Sequence, residues 1–168
     1  MAYRMIEDFE DYTDFTAFNT DTTTVAASTS SVTGTNALSF AKVDGAANTV
    51  FGAAYKTLTD VDLKDAKLSD YICWECYVSA VTDVAYAFVR LGTDASNYAE
   101  WRFADSSLVA GRFTFCSAKV GDQYVTGTGI DWDDVTYLCI GAAFDAAGNA
   151  LAGVLVDSLM FHKAILTA

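Results

Sequence analysis

The chain has 168 residues, 22 Asp and Glu against 10 Lys and Arg, a formal charge of −12 and no proline; it is 52% apolar and 19% charged. That length fits a single domain over residues 1–168, able to bury about 70% of its unfolded surface without disulfides, and the apolar and aromatic content excludes a disordered chain. The charge argues against nucleic acid and against anionic membrane surfaces as partners, and no apolar run reaches the roughly 20 residues of a membrane-spanning helix.

Met1–Asp8 turns acidic at once and lacks the apolar run of a secretory signal, so the chain reads as folded in a cytoplasm. Period-2 patterns then dominate. Strands are predicted over Tyr3–Phe9, Thr24–Ser28, Asn36–Val43, Thr49–Lys56, Leu68–Val78, Val84–Leu91, Tyr98–Ala104, Arg112–Lys119, Thr136–Phe144 and Gly153–Phe161. Most are rich in Val, Ile, Phe, Tyr and Thr, and glycine-containing turns such as Asp44-Gly45 and Gly121-Asp122 separate them. Thr20–Thr35 is a long polar loop with at most one weak strand, and short helical turns are predicted within 60–67 and 131–135, with Asp caps. About ten short strands at this spacing predict an all-β sandwich or barrel of antiparallel sheets. Val84–Leu91 is apolar on both faces, Val84, Tyr86 and Phe88 on one and Ala85, Ala87, Val89 and Leu91 on the other, so both faces need cover. Proline, a common guard of sheet edges, is missing where roughly eight residues would be expected.

Four segments carry a resemblance. They are Ile6–Asp11, Thr33–Phe40, Asn97–Trp101 with Leu108–Phe113, and Ile130–Leu138 with Val154–Phe161. In this order they resemble the jelly-roll β-sandwich of the carbohydrate-binding-module and galactose-binding-like type, domains of which also occur on tailed-phage virions. The resemblance implies neighbouring first and last strands. It also implies a structural calcium held by Glu10 or Asp8, by Asp157 and by carbonyls near Gly34–Asn36. Oxygen ligands suit that ion, and a carboxylate inside an apolar strand needs a partner. The alternatives for Asp157 are backbone donors or Lys163.

The other chemistry is sparse. Cys73 and Cys76 form a C-x-x-C, but residues three apart in a strand face opposite ways, so these thiols and those of Cys116 and Cys139 read as core. The single histidine, His162, has no nucleophile-and-base setting and reads as an exposed strand end, and Asp133/Asp134 read as a turn cap. Asp60–Asp65 lacks the glycine and distal Glu of an EF-hand loop. Aromatic rings are the remaining candidates: Trp74, Tyr86, Tyr98 and Trp101 on strands of a concave sheet, and Tyr124 and Trp132 on loops. Such rings either stack on sugars or pack the core. The sequence-based expectation is therefore a non-enzymatic virion structural protein. It would be a phage head decoration or cement subunit, a homo-oligomer (a trimer by resemblance) bound to the major capsid protein on the virion surface. A carbohydrate-binding module recognising glycans through Trp74, Tyr86, Tyr98, Trp101 and Tyr124 is the alternative.

Overall fold

The computed structural model describes residues 3–45 and 47–164, without the side chains of Tyr3 and Asp60. Twelve strands form two six-stranded antiparallel sheets. They are β1 (Tyr3–Glu7), β2 (Thr16–Ala17), β3 (Ala26–Ser28), β4 (Ala37–Lys42), β5 (Phe51–Val61), β6 (Tyr71–Val78), β7 (Val84–Asp94), β8 (Asn97–Ala104), β9 (Phe113–Lys119), β10 (Tyr124–Thr126), β11 (Val135–Phe144) and β12 (Leu151–His162). The first sheet runs β3-β4-β12-β6-β9, with β1 also paired to β12; the second runs β10-β8-β7-β11-β5-β2. This is the jelly-roll β-sandwich expected, with first and last strands adjacent.

All ten predicted strands are present, within a few residues of their expected ends. The two unpredicted strands, β2 and β10, are edge strands of two and three residues, too short to show a period. The helical turns expected within 60–67 and 131–135 are not formed. Strand β5 runs through Val61, and Asp62 and Asp131 each close a tight turn, accepting from Lys64 N at 2.9 Å and Asp133 N at 3.1 Å. The Asp side chains satisfy local N–H groups as expected, but no further helical turn follows. Instead, 3-10 turns occupy Tyr12–Asp14, Asp105–Ser107 and Val120–Asp122.

The core lies between the sheets. Alternate residues Ile72, Trp74, Cys76 and Val78 of β6 and Ala87, Val89 and Leu91 of β7 point into it, with Trp101 from β8 and Leu138, Ile140 and Ala142 from β11. Strand β12 breaks its own alternation. Val154 and Val156 are buried, then Leu159 and Phe161, and between them a bulge against β6 spans Asp157–Met160 with Ser158 at φ +53°. One inserted residue keeps both apolar pairs in the core; Asp157 still pairs with Glu75, and the ladder breaks after it, at Ser158.

Buried charges mark the joints of the sandwich. Lys42 meets Asp21 at 3.6 Å and donates to Ala147 O at 2.9 Å, while Asp21 accepts from the backbone of Asn48 and Thr49. Asp70 accepts from Lys67 N and Ala164 N, each at 2.8 Å. Arg90 pairs with Glu100, and Asp157 holds the 32–33 backbone, as described below.

Candidate functional site: the outer face of the second sheet

Residues directly opposed across antiparallel strands share a face. On the second sheet this places four rows on the side away from the core. The first is Thr57–Tyr137–Gly92–Tyr98–Thr126, and the second is Thr16–Tyr55–Cys139–Arg90–Glu100–Tyr124. The third is Ala53–Gly141–Phe88–Arg102, and the fourth Phe51–Ala143–Tyr86–Ala104. Small residues of β5 and β11 form a shallow floor, and rings stand on both sides of it.

Tyr137 stands between two other tyrosines, 6.3 Å from Tyr55 and 6.5 Å from Tyr98 by ring centroids, so three rings on three strands make a continuous row. A pocket of about 250 Å³ opens beside it, lined by Phe18, Tyr55, Ala95 and Tyr137. Burial pushes the Tyr137 hydroxyl well above its ordinary range and, with the Glu100 charge, raises Tyr86. Both therefore stay protonated at neutral pH and can donate as well as accept. Burial also pushes the Cys139 thiol up to about 12, which keeps the floor neutral there.

Arg90 braces the centre of the face. Its guanidinium lies 4.5 Å from the Phe51 and Phe88 centroids, 4.9 Å from Tyr98 and 5.6 Å from Phe18. Its Nε donates to Glu100 at 2.6 Å, with both side chains buried. The other Glu100 oxygen accepts from Arg102 Nε at 2.5 Å, and Arg102 stacks on Tyr124 at 3.9 Å and Tyr86 at 4.4 Å. This explains why β7 is apolar on both faces: its outer side is covered by the chain's own rings.

Of the residues predicted from sequence, Tyr86, Tyr98 and Tyr124 are brought together on this face. Trp74 and Trp101 are not. Both are 0% exposed, and Trp74 lies in the other sheet. Their even spacing along strands fits either face, and the inner face won because a sandwich core needs its largest rings. The Trp101 indole donates to Val120 O at 3.1 Å and its ring packs edge-on against Trp132. Trp132 also lines a second pocket, of about 520 Å³, with Thr93, Thr128, Ile130, Asp131 and Asp133. Phe18, Phe51, Tyr55 and Tyr137 were missed. They join the face only through the β7-β11-β5-β2 order, which no local pattern encodes.

Glu10 and Asp157 converge on one loop. Asp157, 0% exposed, accepts at Oδ2 from Val32 N at 2.7 Å and Thr33 N at 3.0 Å, and at Oδ1 from the hydroxyls of Thr33 and Ser158. Glu10 Oε1 accepts from Thr35 N at 2.7 Å and Asn36 N at 3.3 Å. Gly34, at φ +62°, makes this approach possible, since a Cβ there would sit 1.7 Å from Glu10 Oε1. Phe9, at φ +60° and 0% exposed, turns into the core and swings Glu10 outward. Asp8 is exposed and accepts from Glu10 N at 3.2 Å. Among the described residues no group of three or more His, Cys, Asp or Glu is placed to hold a metal ion. The carboxylates that the resemblance assigns to calcium are served here by hydrogen-bond donors. Lys163 pairs with Asp65, not Asp157. The four cysteines are buried free thiols, and Cys73 and Cys76 face Ser117 and Thr114 on opposite sides of β6. His162 is half-buried at the end of β12, beside the Tyr71 ring, rather than fully exposed.

On the outer face of the first sheet, Glu75 lies between Asp157 and Phe115. Burial, and then the Asp157 charge, raise its pKa. Its proton therefore stabilises the fold below the unfolded-chain value near 4.3, and this stability is lost as pH rises through the higher folded value. Glu75→Gln is expected to raise the melting midpoint at pH 7 by about 1–2 °C, an effect limited by solvent screening, and to change nothing near pH 3.5. Thermal melts at the two pH values check it.

No protein-family profile matches the chain, and no curated protein matches it. Solved structures do. A family 11 carbohydrate-binding module from Clostridium thermocellum, in complex with a β-1,3-1,4-mixed-linked tetrasaccharide, superposes with a TM-score of 0.66 at 10% identity, covering 97% of this chain and 96% of that one. A family 30 carbohydrate-binding module of a Clostridium thermocellum cellulosomal cellulase gives 0.63 at 12% identity over 97% and 98%. An exo-β-agarase gives 0.63 at 9% identity, matching 96% of this chain to 25% of its own. At these identities the likeness is one of fold, and the chain has the jelly-roll β-sandwich fold of the carbohydrate-binding-module type.

Proposed function

We propose that this protein is a non-catalytic carbohydrate-binding domain whose glycan lies across the outer face of the second sheet. The observation that carries the reading is the Tyr55–Tyr137–Tyr98 row beside the Phe18-lined pocket. Sugar rings present apolar C–H faces edged by hydroxyls. Half-buried Tyr55 and Tyr98, backed by the buried Tyr137 between them, offer flat apolar surface edged by hydroxyl groups, and such rigid rings lose little entropy on binding. The matched modules share this fold, and the family 11 module was solved with a tetrasaccharide.

The capsid-cement expectation drew its main support from strands apolar on both faces. For β7 that cover comes from within the chain, in the aromatic cluster around Arg90, which removes one of the supports for a capsid or a sister subunit as partner.

The test is a glycan panel followed by Tyr98→Ala. The substitution is expected to weaken the best glycan about ten-fold, the size of a lost aromatic stack of roughly 1.4 kcal/mol, and to lower the melting midpoint by about 2–4 °C, because Tyr98 also covers the Arg90 guanidinium at 4.9 Å. Unaltered affinity in that variant would move the glycan off this face.

A further inference from the structure

We propose that the glycan taken by this face is acidic, carrying carboxylates that Arg102 reads; the inference rests on the glycan reading above. The chain as a whole is strongly acidic, at −12. The four outer rows of the second sheet are an exception. Their charged side chains are Arg90, Arg102 and Glu100, two cations against one anion. The turn carboxylate Asp94, at the end of β7, is engaged by Ser96 N and Asn97 Nδ2.

Glu100 divides itself between the two arginines, one oxygen to each, and meets both at Nε. A single carboxylate shared in this way cannot make the two-pronged contact that a guanidinium offers. Among the described residues, the hydrogen bonds of Arg102 go from Nε to Glu100 alone, which leaves its Nη edge for another acceptor. Arg90 is sealed under four rings, whereas the Arg102 side chain is 37% exposed. Stacking on Tyr124 and Tyr86 fixes the plane of the Arg102 guanidinium, so its in-plane N–H groups are held ready rather than free to swing. A planar cation with a free donor edge, on the same face as the tyrosine row and about 13 Å along β8 from Tyr98, matches one uronate of an oligosaccharide: its carboxylate takes the Nη pair while other residues of the chain lie over the Tyr55–Tyr137–Tyr98 row.

The experiment titrates the full chain with three matched pairs of oligosaccharides: β-1,4-gluco-, β-1,4-manno- and α-1,4-galacto-oligomers, each with its C6-carboxylate counterpart. Near 0.15 M salt the Debye length is about 8 Å, so the distant acids of the protein are screened while direct contact at Arg102 survives. In at least one pair the uronate is expected to bind about ten-fold tighter than its neutral partner. In Arg102→Gln the ratio of acidic to neutral affinity is expected to fall to about one, and Arg102→Lys to keep only part of it, because lysine preserves the charge without the fork. Melting of each variant confirms the fold. Neutral oligomers binding as tightly as their uronates, or a preference that survives Arg102→Gln, overturns the acidic assignment and leaves the glycan platform standing. Binding to no member of any pair overturns both.

Discussion

Asp157→Ala is expected to destabilise the protein by about 3 kcal/mol, a fall of roughly 6–12 °C in the melting midpoint of a chain this long. The carboxylate reaches from the β12 bulge to the 32–33 backbone and collects two N–H and two O–H donors. Alanine removes all four acceptor contacts and leaves a void at a site that is 0% exposed. Asp157→Asn should cost about half as much, because one amide oxygen still accepts while the amide nitrogen faces donors. Chemical denaturation of the three proteins measures both effects, and an alanine variant within 1 kcal/mol of wild type would show that the loop holds without its anchor. The calcium implied at Glu10 and Asp157 is a proposal about this same joint. A wild-type midpoint that falls in EDTA and is restored by calcium supports it, whereas an unmoved midpoint assigns the joint to hydrogen bonds alone.

The acid at Asp157 was visible in the sequence, but the bulge beside it was not. Val154 and Val156 share one parity, and Leu159 and Phe161 share the other. Leu155 and Met160 fill out both sets, so an unbroken strand looked equally apolar on either face, and the bulge after Asp157 emerges only from the pairing with β6. The sequence also raised the right question about Asp157, a lone acid among apolar neighbours, and offered hydrogen-bond donors as one of its answers. Eight of the ten predicted strands run six to twelve residues, which gives a period time to declare itself; β1 has five and β3, read only as a weak strand, has three. Strands β2 and β10 contain two and three residues, and give it none. The functional face was legible only in part. Tyr98 announces its neighbourhood to Glu100 and Arg102 by alternation within β8. Nothing local says that Tyr55, some forty positions earlier, or Tyr137, some forty later, will stand in the same row. That information lies in the sheet order, which is settled by long-range packing. Trp74 and Trp101 show the converse limit, since ring size marks a residue as valuable without saying which side of the sheet will use it.

Arg90→Ala is the substitution expected to do most damage, about 3–5 kcal/mol by denaturation, with glycan binding lost in the same variant. Two costs combine. Glu100, whose side chain is 3% exposed, is left with Arg102 as its remaining ion-pair partner among the described residues. The rings of Phe18, Phe51, Phe88 and Tyr98 also lose the group that fills the space between them, so the platform slackens where a sugar would rest. These costs can be separated. Replacing both partners, Arg90→Met with Glu100→Leu, removes the buried charges together and refills most of the volume, so the double variant is expected to recover to within about 1–2 kcal/mol of wild type. If the ion pair served stability alone, that recovery would complete the account. On the present reading the double variant folds but binds poorly, because methionine cannot hold four rings in one arrangement and Arg102 has lost the carboxylate that fixes its Nε. A double variant that regains stability and full affinity together would show that the arginines are scaffolding, and that the tyrosines recognise the ligand without them. Recovery of the fold without recovery of binding would show that a costly buried ion pair is kept for the shape it gives the face.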